Sequence, residues 1–399
     1  MPHPVRSLPV IQNWDCHGCS DCCRTYHVRV TPDEKAAIDG QNWADVPEAV
    51  VWDAKNAEFQ LNHKPDGACV FLGDDNRCRI HAKFGPLGKP LACRVYPFVP
   101  VPCGDHWRAG LRFACPSAAK NEGANFAAHL AEIQRHVADM EVGVMPAAPE
   151  LQPGQNAAWP DLTRFADAVL FLLAKPDPVE RKLRRVLNLA RLCRAAKFEA
   201  VRGPRLGEFL KLVLPEVNAL PVEPPPGWVG RMVFRQLVAL YARKDVGLSR
   251  GRMAEGGVFG RLAAGWGFAR GTGRIPRIHG LIPEGATFAA AEAPAGPLAP
   301  DAEELLSRYY RVKVESMQFC GAANHGLNFW DGLDSLIVAF PATLWLARVL
   351  GGDVSRALRI VDDNFGYNPL LSRSRQAWAV QLLNAKRELP KLVAWYGGA

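Results

Sequence analysis

Four thiols fall within eight residues near the N-terminus, in the run Cys16-x₂-Cys19-x₂-Cys22-Cys23. A C-x₂-C turn presents both sulfurs to one metal ion, at about 2.3 Å for zinc. A third cysteine at the same interval matches the opening spacing of an iron–sulfur binding run. Adjacent side chains diverge, so Cys22 and Cys23 are not both expected in one ligand triad. Cys69, Cys78, Cys93, Cys103 and Cys115 follow, and only Cys193 and Cys320 lie beyond them. Cys69, Cys78, Cys93 and Cys115 stand near segment ends, where hairpins and loops can aim them at the N-terminal run. That makes eight metal ligand candidates, enough for two four-thiolate sites or for one cluster with a structural remainder. Cys103, in PVPCGDHW, is left as a spare. Buried cysteines can also be small hydrophobes, but the density and spacing here favour metal. All-thiolate ligation suits zinc and iron–sulfur equally.

The rest of the chain bounds this reading. Of 399 residues, 48% are hydrophobic and 22% charged, which excludes wholesale disorder and fibrous repeats. The length suggests two domains, each able to bury a core without a metal staple. The opening MPHPVRSLPVIQNWDC has no apolar signal core and no small-residue cleavage site. A cytoplasmic location is therefore expected, where thiols stay reduced and clustered cysteines bind metal. The most apolar stretch, Ser335 to Leu350, is interrupted by Pro341 and Arg348. It falls short of the roughly 18–20 apolar residues of a membrane span and reads as a buried, kinked helix, so no membrane partner is expected. The net charge is +8, and nearly all of the excess lies beyond residue 120. It peaks in RKLRRVLNLARLCRAAKF, residues 181–198, which reads as a solvated helix face rather than a nucleic-acid surface. Four bound thiolates around a 2+ centre would add about −2 to the cysteine half.

The fold class expected is α+β: a small cysteine-rich metal-binding domain of short strands, hairpins and helices over 1–145, a Pro-rich linker at 146–160, and a mainly α-helical domain over 161–399. In the first part YHVRV (26–30) alternates like a strand, DEKAAIDG reads as a short helix, and GACVFLGDDNRCRIH reads as a hairpin turning at GDDN. A helix is expected at about 117–140. Beyond the linker, Phe165, Val169, Leu172 and Leu173 keep helical spacing, as do Leu183, Val186, Leu187, Ala190 and Cys193, and then Val233, Leu237, Leu240 and Tyr241. Residues 249–300 are rich in Gly, Ala and Pro and read as an irregular excursion. Helices return at about 301–319, 329–350, 354–363 and 372–396.

Five motifs in order carry a family resemblance: the Cys16–Cys23 run, GACVFL with Cys69, RCRIH with Cys78, KPLACRVYPF with Cys93, and ACPSA with Cys115. Together they resemble the YkgJ-type CxxCxxCC cysteine-cluster family, a zinc- or iron-chelating domain, over about residues 14–118. The resemblance assigns the metal role to Cys16, Cys19, Cys22, Cys23, Cys69, Cys78, Cys93 and Cys115, and Cys103 has no counterpart. Over the whole length, including RYYRVKVESMQFCG (308–321), the chain is similar to the flagellin lysine-N-methylase members, which are iron–sulfur proteins. That similarity implies an iron–sulfur cluster in preference to zinc. It also carries an alternative function, S-adenosylmethionine-dependent methylation of lysines on a protein substrate. The residues themselves do not complete that chemistry. GRMAEGGVFG (251–260) and FARGTGR (268–274) lack the preceding strand of an adenosine-binding turn, and no catalytic residue can be assigned.

Other residues are also of types that do chemistry. Cys320 lies near His325, Asn328 and Asp331, a set that suits either a nucleophilic site or a helix-end turn. Arg24, Arg77, Arg79, Arg94 and Arg112 flank cysteines and are placed either to offset thiolate charge or to sit on the surface. His17, His27 and His81 read as surface histidines before metal ligands. The segment 308–331, with Arg308, Tyr309, Tyr310, Arg311, Lys313, Glu315, Phe319 and Trp330, is the expected wall of any pocket beside the cysteines.

Overall fold

The computed structural model describes residues 3–54, 56–140, 144–196, 201–244, 257–294 and 296–398. It is α+β, with six short strands among the described residues, all before residue 112, and long helices after residue 158. β1 (Val5–Ser7), β5 (Phe98–Cys103) and β6 (His106–Leu111) form one sheet in the order β1-β6-β5. β5 and β6 are a hairpin in which Cys103 faces His106. Gly104, at φ 74°, supplies the left-handed conformation that its two-residue turn demands. β2 (Arg29–Val30), β3 (Val50–Asp53) and β4 (Glu58–Leu61) form an antiparallel sheet in the order β2-β4-β3.

Local structure departs from expectation where backbone groups found other partners. The strand expected at 26–30 shrinks to Arg29–Val30. The GDDN turn is present, with the Gly73 N–H donating to the Arg77 carbonyl at 2.9 Å. Its hairpin stops at a single Leu72–Cys78 bridge, because the chain goes straight into the helix Arg79–Phe84. The helix expected at 117–140 divides into Pro116–Lys120 and Leu130–Asp139, broken where Asn121 and Gly123 take positive φ. The excursion at 249–300 contains the helices Gly257–Arg270 and Phe288–Glu292, tied by Phe268 packing edge-on against Phe288. Its portion 249–256 lies outside the described residues. A helix at Pro204–Glu216 had no expectation, and the stretch 372–396 is two helices parted at Arg387, φ 53°.

The helical part is organised around Phe329–Val349, which is long and apolar enough to cross a membrane but has 94% of that apolar window buried inside the protein. Its buried Asp334 meets Arg194 and Asn384. Within 181–196 the basic run is therefore only partly a solvated face, with Arg181 and Arg191 exposed and Lys182, Arg184, Arg185 and Arg194 turned to partners. Arg184 pairs with Glu180 at 2.8 Å, Arg185 with Asp177 at 2.5 Å, and Lys182 donates to Ser307 at 3.0 Å. Exposed cations would have been worth little there, whereas buried ones must be paired.

Two arginines fasten the N-terminal part to the helices. Arg108 on β6 donates to the Glu315 carbonyl at 2.9 Å and to Thr163 at 3.0 Å. Arg308 reaches Gln12 and the carbonyls of Ala118 and Ala119 at 2.8–3.0 Å. Gly110 is required on the same strand, since a Cβ there would lie 2.0 Å from Gln318 Nε2. Residues 146–160 run along the helical part, with Leu151 in its core and the Trp330 N–H donating to the Leu151 carbonyl at 3.2 Å.

Candidate metal centre

The N-terminal cysteine loop is held by backbone bonds from its flank. Trp14 and Asp15 donate to the carbonyls of Ala124 and Glu122 at 2.9 and 3.1 Å, and the Asp15 carboxylate accepts the Ala124 N–H at 2.7 Å. Gly18 and Ser20 turn the loop through positive φ into the short helix Asp21–Thr25, which carries Cys22 and Cys23. The Cys69 N–H donates to the Cys23 carbonyl at 2.8 Å, so the second motif is bonded directly to the first. Cys78 and Cys115 cap the starts of short helices, and Cys93 lies inside another.

The electrostatics show which sulfurs are neighbours. Cys93 responds to charge on Cys69, Cys78 and Cys22, and Cys69 responds to Cys78 and Cys22. Cys19 responds to Cys22 and Cys16, and Cys115 responds to Cys19. Each of the eight expected ligands thus lies within electrostatic reach of another of the eight, with Cys22 acting on Cys19, Cys69 and Cys93 and paired with Cys23. Among the described residues, no three His, Cys, Asp or Glu side chains meet tightly enough to hold a metal ion as they stand. Cys22 and Cys23 do not diverge as expected. Their sulfurs are 4.0 Å apart, close to the about 3.8 Å edge of a tetrahedral site with 2.3 Å bonds.

Thiol chemistry at this place asks for a cation. Burial raises the Cys69 thiol to about 11 and the Cys93 thiol to about 12, and it raises Cys19 and Cys115 as well. Cys22 is pushed up furthest, by sharing a proton with Cys23 and then by burial. Lys89 works against this at both Cys22 and Cys93. A lone lysine cannot compensate several thiolates, but a bound metal deprotonates its thiols outright.

Donors already surround the sulfurs. The N–H groups of Asp21, Phe71, Ser117 and Ala118 face Cys19, Cys69 and Cys115 in a way that favours thiolate. The buried Trp14 indole N–H has no oxygen or nitrogen acceptor, and the group it faces is the Cys115 sulfur. A weakly accepting thiol leaves that donor short, whereas a metal-bound thiolate satisfies it. The donor set fits a thiolate-bound metal.

Several expected residues play other parts. Cys193 is fully buried core. Cys103 and Cys320 are buried and neighbour each other rather than the eight. Asn328 and Asp331 are spent on a helix cap, Asn328 Oδ1 accepting the Asp331 N–H at 2.8 Å. Arg24, Arg79, Arg94 and Arg112 all pair with carboxylates: Asp66, Asp45, Asp139 and Asp363. His17 bonds Ser117 at 3.1 Å, His27 stacks on His63, and His81 is exposed.

The segment 308–331 does not wall a pocket beside the cysteines. Tyr309, Tyr310, Lys313, Phe319 and Trp330 are buried, Tyr309 against Phe113 and the others of the aromatic set against Phe340, Phe329 and Phe165 of the helical part. The pocket that touches Cys22 is completed instead by His279, Leu281, Arg356, Arg359, Ile360 and Asp363. Of the residues the sequence did not single out, Trp14 and Lys89 carried the clearest signal, at two residues before Cys16 and four before Cys93.

Residues 15–125 match the family model of the CxxCxxCC domain, described as a "putative zinc- or iron-chelating domain". No curated protein matches the chain, and no solved structure does.

Proposed function

Because residues 15–125 match the family model of the CxxCxxCC zinc- or iron-chelating domain, we propose that this protein is a cysteine-ligated metal protein whose centre is an iron–sulfur cluster. Its ligands are drawn from Cys16, Cys19, Cys22, Cys23, Cys69, Cys78, Cys93 and Cys115. The observation that carries the reading is that each of these eight lies within electrostatic reach of another, with N–H donors facing Cys19, Cys69 and Cys115. A cluster takes four cysteines, which leaves the remainder to shape and shield the site. When bound, such a centre supplies electron transfer or a structural anchor. The helical part holds it from one side and presents a protein partner or substrate surface on the other.

Metal analysis of aerobically and anaerobically purified protein tests this. About four iron and four sulfide per chain, with visible charge-transfer absorption, is the expected result. One or two zinc ions and no sulfide would replace the cluster by tetrahedral zinc, a result the 4.0 Å Cys22–Cys23 pair suits. Metal far below one equivalent in both preparations overturns the metal reading itself.

A second reading, protein lysine N-methylation using S-adenosylmethionine, is favoured by one observation. The pocket beside Cys22 is built jointly by the cysteine and helical parts, as a cleft admitting a lysine side chain near the centre would be. Calorimetry with S-adenosylmethionine on the metal-loaded chain decides it. Micromolar binding supports the methylase, and no heat at millimolar ligand leaves a metal-binding module.

A further inference from the structure

The pocket between the cysteine and helical parts has a volume of about 290 Å³, just under the ~300–1,000 Å³ of drug-sized ligand sites. Its hydrogen-bonding groups are unevenly spent. Asp363 uses both carboxylate oxygens, one accepting from Arg112 at 3.0 Å and the other meeting Lys244. Arg359 meets Asp21 and donates to the Ala114 carbonyl at 3.3 Å. Two donors are left over. Arg356 has only a 3.5 Å contact from its Nε to Asp353, and the two ends of its guanidinium fork have no hydrogen-bond partner among the described residues. His279 is 5% exposed, and its Nδ1 accepts the Leu281 N–H at 3.1 Å. In the neutral ring that places the hydrogen on Nε2, which likewise has no partner among the described residues.

Charge is close to balanced at the pocket. Arg356 and Arg359 line it with Asp21 and Asp363, while Asp353 contacts Arg356, and Arg112 and Lys244 stand behind Asp363. The unspent donors, not an excess of charge, therefore set what fits. A guanidinium fork with an unpaired face in a small, partly enclosed space is matched by a planar or tetrahedral oxyanion, which takes two parallel N–H···O bonds. The second donor, on a buried neutral histidine, adds one bond without adding charge.

We propose that this pocket is a binding site for a small oxyanion, a carboxylate or phosphate group, gripped by the Arg356 fork and the His279 Nε2–H next to Cys22. The ligand that carries the group is small, because the volume leaves room for few atoms besides. The site rests on the pocket and its donors, and it is independent of which metal the cysteines take.

Calorimetric titration of the full, metal-loaded chain with malonate and with inorganic phosphate tests the site. One of the two binds at millimolar Kd or tighter, and whichever is tighter identifies the group as carboxylate or phosphoryl. Arg356→Gln weakens that binding at least tenfold, Arg356→Lys weakens it less because charge survives without the fork, and His279→Gln weakens it severalfold. Arg181→Gln, on an exposed helix face, leaves it unchanged. Metal content and melting temperature, measured on every variant, separate loss of the anion site from loss of the centre or of the fold. Arg356 is more than half exposed with one long contact, so its variants are expected to fold. Binding that is absent in the wild type, or equal in wild type and Arg356→Gln, overturns the proposal.

Discussion

Lys313 and Asp362 pair at 2.6 Å with side chains 1% and 0% exposed, and the other oxygen of Asp362 accepts the Ala114 N–H at 3.0 Å. Cys115 is the next residue along the chain. The last of the eight thiols is therefore positioned from the far end of the sequence, by an ion pair formed between two helices of the C-terminal part.

Breaking that pair is expected to be costly. Asp362→Asn leaves the Lys313 ammonium buried without its counter-ion, at a cost of roughly 3–5 kcal/mol. The double change Lys313→Met with Asp362→Leu recovers part of the loss, because no charge is then stranded, although the Ala114 N–H keeps no acceptor. Urea denaturation of the three proteins checks the order. A single variant as stable as wild type contradicts the assignment.

Trp14→Phe removes one N–H from Cys115 while keeping a ring against Phe98, whose centroid lies 4.9 Å from Trp14. A donor orienting a metal-bound thiolate is worth about 10–100-fold in metal affinity. Competition with a chelator is expected to strip metal from this variant correspondingly sooner. An unchanged stripping curve would show that the indole does not serve the sulfur.

Serine at Cys22, Cys69, Cys78 or Cys93 is expected to lower metal content sharply, since these four feel one another's charge. Serine at Cys103 or Cys320, and alanine at Cys193, leaves it intact while costing roughly 1 kcal/mol of stability through the altered core. Elemental analysis of the purified variants reads this directly. Metal loss at Cys103 would redraw the ligand set.

Stability should rise with pH between about 4 and 6.5 because of His279. Its pKa falls to about 4, first by burial and then by the Lys244 charge, against about 6.5 in the unfolded chain. In that window the unfolded state binds the extra proton, so folding is penalised as pH drops and the full contribution is present above 6.5. The span corresponds to about 3 kcal/mol. His279→Gln is expected to flatten this part of the stability–pH curve, and an unaltered slope would place the titration elsewhere. Asp363 acts at lower pH. Burial alone would raise its carboxyl, but Lys244 and Arg112 hold it below the usual range, so its contribution persists above ~4 and vanishes as pH falls through the lowered value.

The metal chemistry was legible in the sequence, because a Cys16-x₂-Cys19-x₂-Cys22-Cys23 run followed by four single-cysteine motifs in order has few uses other than metal. The helices over 159–195, 228–242 and 300–364 were equally legible, since their apolar residues recur at 3.6 and one face must be buried. Three things were decided only by the tertiary structure. The basic run at 181–198 looked solvated, yet Arg184, Arg185 and Arg194 turn to Glu180, Asp177 and Asp334, partners that sequence distance conceals in the last case. The residues at 308–331 looked like a pocket wall, yet packing among the helices and against Phe113 buried Tyr309, Tyr310, Phe319 and Trp330. The pocket beside Cys22 draws on His279 and Arg356, which lie more than 250 residues from it in the chain. Local pattern reports which face of an element is apolar. Which distant charges and donors then meet across two such faces depends on how the elements stack, and that is settled only when the whole chain packs.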